Sequence, residues 1–148
     1  MNAALYRVTL LWSLLASAAA GACDGLVVTD AWIREPPPGA GAVAAYMTLS
    51  NAGNAPLVID AFSSPAFAPG MLQQTRHEYG LVSMRHVARL TLAPGERVAL
   101  APGALHGMLM QPRGALPQAG ERVEVVLGCG ASELRVELPV ARDAPAPR

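Results

Sequence analysis

Residues 77–110 read HEYGLVSMRHVARLTLAPGERVALAPGALHGMLM. Two features of this stretch decide the architecture. Tyr79-Gly80 marks a hairpin tip, because glycine accepts the positive φ that a two-residue turn demands. A loop of those two residues sets Glu78 opposite Leu81, His77 opposite Val82 and Thr75 opposite Met84. Paired residues share a sheet face, and so do residues two apart, so His77 and Met84 fall diagonally on one face. A slip of one residue would separate them. At the other end, Leu105 to Met110 read as a strand. Side chains alternate faces there at about 3.3 Å per residue. His106, Met108 and Met110 project to one side, and Leu105 and Leu109 to the other. Both features obey a period of two, which is the period of sheet.

The residue types that share this face have a common chemistry. Imidazole and thioether donors suit Cu(I), whereas carboxylate and water suit Mg or Ca. Thioethers carry no titratable proton, and imidazole binds a metal only when neutral. The candidate ligands are therefore His77, Met84, His106 and Met108. Each has a plainer reading in isolation: a single Met in a β protein is usually core filler, and a single His is more often a surface or hydrogen-bonded residue. Only their combination points to a metal. His86 shares the parity of Met84 and reads as peripheral. Met110 reads as a packing neighbour, Gln73 and Met71 as weak outside candidates, and Met47 and Trp32 as core.

Outward from this stretch, short β-rich runs alternate with Pro- and Gly-rich turns. The expected strands are residues 26–33, 43–50, 56–62, 70–78, 81–86, 90–92, 97–100, 103–110, 122–127 and 133–140. Loops are expected at Pro36 to Gly41, Asn51 to Asn54, Ala93 to Glu96 and Pro112 to Gly114. No segment sustains a helical apolar period over three turns, and no internal repeat is visible. Many short strands with closely spaced turn signals imply one all-β domain, a Greek-key-like β-sandwich. Residues 141–148, ending Ala-Pro-Ala-Pro-Arg, read as a frayed tail.

The N-terminus places the domain outside the cytoplasm. Arg7, the apolar run from Val8 to Ala20 and the small residues Ala20-Gly21-Ala22 read as a signal peptide over residues 1–22. The run is too short for a membrane span. Residues 23–148 remain, a length that suits a single core. Cys23 and Cys129 are the only cysteines. They admit three readings: a disulfide, which an exported compartment permits; lipidation of Cys23 behind a weak lipobox; or free thiols. Gly128-Cys129-Gly130 has no His nearby, so a blue-copper site, which needs two His beside its Cys, is disfavoured.

Composition excludes other classes. Lys plus Arg number 11 and Asp plus Glu number 11, with no Lys among them. Loss of Arg7 leaves a net charge of about −1. The Arg residues are scattered, so no nucleic-acid footprint exists, and no block of like charge marks a membrane surface. A membrane role would depend on a lipid at Cys23. No nucleophile sits with a base and an orienting acid in a recognisable pattern, and no Gly loop cradles phosphate. The chain reads as a non-enzyme.

Met84 and His106 are separated by the twenty-one residues 85–105, and Met108 follows His106 at one remove. This Met-x21-His-x-Met pattern resembles the PCu(A)C periplasmic copper chaperones. Asp30-Ala31-Trp32-Ile33-Arg34 and Ala45-Tyr46-Met47-Thr48-Leu49-Ser50-Asn51 resemble that family's N-terminal segments, and the likeness extends over about residues 26–140. The resemblance implies a cupredoxin-like fold and periplasmic location. It also implies delivery of Cu(I) to the binuclear copper site of cytochrome c oxidase, with a Sco-type thiol protein in the relay. The chain departs from the family once. The family's first His falls eleven positions before the Met, where this chain has Gln73. His77, on the same face, is read as its replacement. Two alternatives remain: a non-metal β-sandwich that binds a partner or is anchored through Cys23, and a copper-storage protein, for which the His and Met are too few.

Overall fold

The computed structural model describes residues 22–146, all of them in strands, turns or irregular backbone. The signal-peptide reading of residues 1–22 falls, except for Ala22, outside them. Eleven strands follow in chain order: β1 (Leu26–Arg34), β2 (Ala42–Asn51), β3 (Leu57–Ile59), β4 (Ala61–Ser63), β5 (Gly70–Glu78), β6 (Leu81–Val87), β7 (Leu90–Leu92), β8 (Arg97–Leu100), β9 (Leu105–Met110), β10 (Arg122–Cys129) and β11 (Ser132–Ala141).

Strands distant in sequence become neighbours. The main path runs β4-β10-β11-β1-β2-β9-β5-β6, with β8 also on β2, while β3 and β7 form a separate pair. Hairpins supply β5/β6 and β10/β11, and long returns supply β2/β9 and β4/β10, the interleaving of a Greek key. β1 meets β11 in parallel, Ile33 opposite Val140. The path folds back on itself. A Cβ on Gly70 of β5 would lie 2.6 Å from the Phe62 carbonyl of β4, so the first strand of the path meets the last but one. Ile33, Leu49, Leu109, Val125, Leu127 and Leu138 fill the space between, each fully buried. The all-β expectation holds.

Several strand bounds shift by one or two residues from expectation, and two of the differences have a visible cause. Residues 56–62 form two short strands, β3 and β4, because the chain changes sheets at Asp60. There the Asp60 amide donates to Gly128 O at 3.0 Å, and its Oδ1 accepts from the Gly130 amide at 3.1 Å. β9 starts at Leu105, two residues late, because Ala104 N closes a turn on Ala101 O at 3.1 Å around Gly103 at φ 76°. At the C-terminus, Ala141 pairs with Arg34, and Arg142 Nε donates to Glu35 Oε2 at 2.8 Å.

Cys23 and Cys129 are joined as a disulfide with Cα atoms 5.3 Å apart. The bridge ties the turn that leads into β1 to the end of β10. Free cysteines are absent among the described residues.

Candidate metal centre

The hairpin has the register that its turn chemistry predicts. Tyr79 and Gly80 both adopt positive φ, 52° and 74°, the pattern of a type I′ turn. The pairs are Glu78/Leu81, His77/Val82, Thr75/Met84 and Gln73/His86. On its other side β5 meets β9 with Gln73 opposite His106 and Met71 opposite Met108. β9 in turn meets β2 with Met108 opposite Ala44 and Met110 opposite Ala42. Paired residues share a face, so one surface collects Met71, Gln73, Thr75 and His77 from β5, Met84 and His86 from β6, and His106, Met108 and Met110 from β9.

This is the outer face of the sheet. The inner residues of the same strands, Leu72, Leu105 and Leu109, are in the core. Gly107 also points inward, where a Cβ would overlap the Phe62 ring. Glycine at 107 lets the ring press on the backbone between His106 and Met108, and so seats both candidate ligands against the core.

His106 is the most constrained of the candidates. It is 4% exposed, and its Nδ1 lies 3.0 Å from Ala104 O. A carbonyl only accepts, so Nδ1 is the donor of this contact, and in the neutral ring the lone pair is on Nε2. Metal-binding imidazoles are oriented in this way. Met84 is its opposite, 57% exposed on the edge strand β6. The side-chain Nε2 of Gln73 donates to Met71 Sδ at 3.4 Å, which holds the amide along its own strand.

The four predicted residues are unequally placed. His106 and Met108 are neighbours on β9, and Met84 lies across β5 from them, two residue pairs nearer the tip than the Gln73–His106 pair. His77 shares the face and lies diagonal to Met84, as expected. It stands four residues along β5 from Gln73, about 13 Å at the usual rise, and is not drawn into the His106 row. His86 is in that row. Trp32 and Tyr46 flank the same surface with ring centroids 5.0 Å apart, and the Arg34 guanidinium lies 5.7 Å from the Trp32 ring. Sequence reasoning missed them because their parity with Met108 runs through the Ala44–Met108 pair, a long-range register that no local pattern shows.

Among the described residues no three His, Cys, Asp or Glu side chains group as a metal site. Any metal held on this face must therefore take thioethers as ligands, which selects a soft ion. The face is open. A hollow of about 480 Å³ at the margin of this face, lined by Phe62, Phe67 and Arg113, takes in Met71 and His86 but none of Met84, His106 and Met108. No helix among the described residues is long and apolar enough to cross a membrane.

Comparison with known proteins gives this geometry its setting. The model of the family described as putative lipoprotein LpqE-like matches residues 26–140. A solved structure of the CuI form of DR1885 from Deinococcus radiodurans is 29% identical, covering 85% of this chain and 86% of that one, with a TM-score of 0.63. The copper-bound PCuAC domain from PmoF2 is 24% identical, covering 82% and 94%, with a TM-score of 0.63. The apo PCuAC domain from PmoF1 is 23% identical, covering 82% and 95%, with a TM-score of 0.65. No curated protein matches the sequence. With its cupredoxin-like β fold and a family match over nearly all of the described residues, the chain belongs to the LpqE-like family, the family of the PCuAC domains.

Proposed function

We propose that this protein is an exported copper carrier that binds one Cu(I) through Met84, His106 and Met108 and passes it to another protein. For a fourth donor the sequence suggests His77, which the strand register leaves four residues from the His106 row. One observation carries the proposal. The strand register gathers an imidazole with a free Nε2 and two thioethers on one open face, where carboxylate and thiolate ligands do not group. The copper held by DR1885 and by the PmoF2 domain supports it. An open face also suits transfer, since an incoming ligand can reach the ion before the outgoing ones release it. By family resemblance the recipient is the binuclear copper site of cytochrome c oxidase, with a Sco-type thiol protein as intermediary. The protein performs no catalysis.

The location is periplasmic, and the fate of Cys23 refines it. A sulfur bonded to Cys129 has no valence left for a lipid thioether. We therefore expect no lipid at Cys23, although the family's description includes the word lipoprotein. Intact mass of the exported protein decides this: loss of two hydrogens marks the disulfide, and a diacylglycerol adduct refutes it.

The test of function is an anaerobic Cu(I) titration of residues 23–148 against a chromophoric chelator. The wild type should hold one equivalent. His106→Ala and Met84→Leu should each weaken it by about tenfold or more, the scale on which metal sites respond to altered ligation. A wild type that fails to compete refutes the carrier reading. Exposed Tyr79, Leu81 and Val82 at the hairpin tip favour a second reading, a non-metal protein-interaction module. It requires that Cu(I) leave the melting temperature unchanged, whereas a ligand specific to the native state must raise it.

A further inference from the structure

We infer that His86, and not His77, supplies the second imidazole of the Cu(I) site, replacing the His absent at position 73 from the neighbouring strand. The inference rests on the carrier reading above and completes its ligand set.

The register supports it directly. Gln73 pairs with His106 on one side and with His86 on the other. The three residues form one row across β9, β5 and β6, and paired residues share a face. His106 and His86 are therefore two strand spacings apart, about 10 Å between Cα atoms. Two imidazoles that lean toward each other over the intervening strand span such a gap. His77 lies one strand spacing and four residues from His106, about 14 Å by the same dimensions. Relative to Met84 the two are comparable: His86 is two residues along the same strand, and His77 is diagonal across the pair.

The residue between the imidazoles is suited to being bridged. Gln73 offers only an amide, whose oxygen is a hard donor that Cu(I) does not favour. Its Nε2 is committed to Met71 Sδ, so the amide is held along β5 and not toward either imidazole. The family's imidazole at position 73 would rise from the middle of this row. An imidazole from either end reaches the same region above the sheet. His86 is exposed on the edge strand, its side chain makes no hydrogen bond among the described residues, and from the rim of the hollow beside Phe62 its ring can turn over the sheet face.

The resulting set is His86 and Met84 from β6 with His106 and Met108 from β9. Two donors come from each flanking strand, and none from β5 between them; Met84 and Met108 stand about 16 Å apart between Cα atoms by the same dimensions, so the arm bends toward β9 when the set closes. This differs from a site reaching toward the hairpin tip in a way that experiment resolves.

The test compares His86→Ala, His77→Ala and His106→Ala by anaerobic Cu(I) competition, with side-chain imidazole NMR of the wild type before and after one equivalent of Cu(I). We expect His86→Ala to weaken binding by about tenfold or more and His77→Ala to leave it unchanged. The His86 and His106 ring signals should shift while those of His77 stay. Since His86 is exposed, the metal-free melting temperature of His86→Ala should match the wild type, so that weaker binding is not a folding defect. Weakening by His77→Ala alone, or by neither variant while His106→Ala still weakens binding, overturns the His86 assignment and leaves the carrier function standing. Failure of the wild type to bind Cu(I) overturns both.

Discussion

The two halves of the candidate site belong to different kinds of structure. β9 lies between β2 and β5, with Leu109 at 0% exposure and His106 at 4%. β6 has a neighbour on one side only, and its Leu81 is 73% exposed. One half is a wall of the core; the other is the outer strand of an arm. A rigid half presets the position of an ion, because its ligands have paid their ordering cost in folding. An edge half can move without disturbing the core, since local opening is easiest where few apolar contacts are buried. A carrier benefits from both, one for affinity and one for release.

Paired substitutions in leucine should break this contrast if it is false. Leu109→Ala should lose about 2–5 kcal/mol, as for other buried leucines. Leu81→Ala should stay within about 0.5 kcal/mol, as for ordinary surface changes. Urea denaturation of the metal-free protein reads both, and equal losses would show that the arm is as integral as the wall.

Gly107→Ala sharpens the role of the wall. Its methyl would overlap the Phe62 ring, and overpacking of this kind costs about 1–3 kcal/mol. The ring must shift away from the backbone between His106 and Met108. We expect lower stability together with weaker Cu(I) binding; full stability would mean that Phe62 moves freely and does not seat the ligands.

Gly80→Val addresses the arm. A β-branched residue at φ 74° is strained by about 1–3 kcal/mol. Amide hydrogen exchange should accelerate at Arg76 and Ser83, near the tip, and remain slow at Leu109. Acceleration at both would mean that arm and core open as one unit.

The smallest effect lies far from the site. Hydrogen bonds from the Ala119 amide and then from Arg142 hold the Glu35 carboxyl below its ordinary value of 4.5. A depressed carboxyl stabilises the fold fully above its unfolded pKa, and loses that contribution as pH falls through the folded value. The difference in melting temperature between wild type and Glu35→Gln should therefore be present at neutral pH and vanish in acid. It should be small, because the Arg142 partner is exposed and solvent screens the pair. A difference that grows in acid would refute the assignment.

Much of the site was legible because its determinants are local. Turn chemistry at Tyr79-Gly80 predicts the β5/β6 pairs, and parity alone puts His106 and Met108 on one side of their strand. The placement of His86 was less legible. Its parity with Met84 was visible, but its alignment with His106 depends on Gln73 pairing across β9, a contact between residues more than thirty positions apart. The division at Asp60 was hidden for a similar reason. Residues 56–62 have a continuous β pattern, and only partners on β7 and β10 divide it between sheets.

The sequence by itself determined the all-β class, the hairpin register, the candidate donor types and the likeness to a copper-binding family, because alternation, turn preference and ligand chemistry act over a few residues. Only the tertiary structure decided which strands lie side by side. That decision follows from burial: Leu72, Leu105 and Leu109 must face one core, and bringing their strands together aligns the opposite face, where His106, Gln73 and His86 stand in a row. It also joined Cys23 to Cys129, because closing β10 beside the turn that leads into β1 brings the two sulfurs within bonding reach.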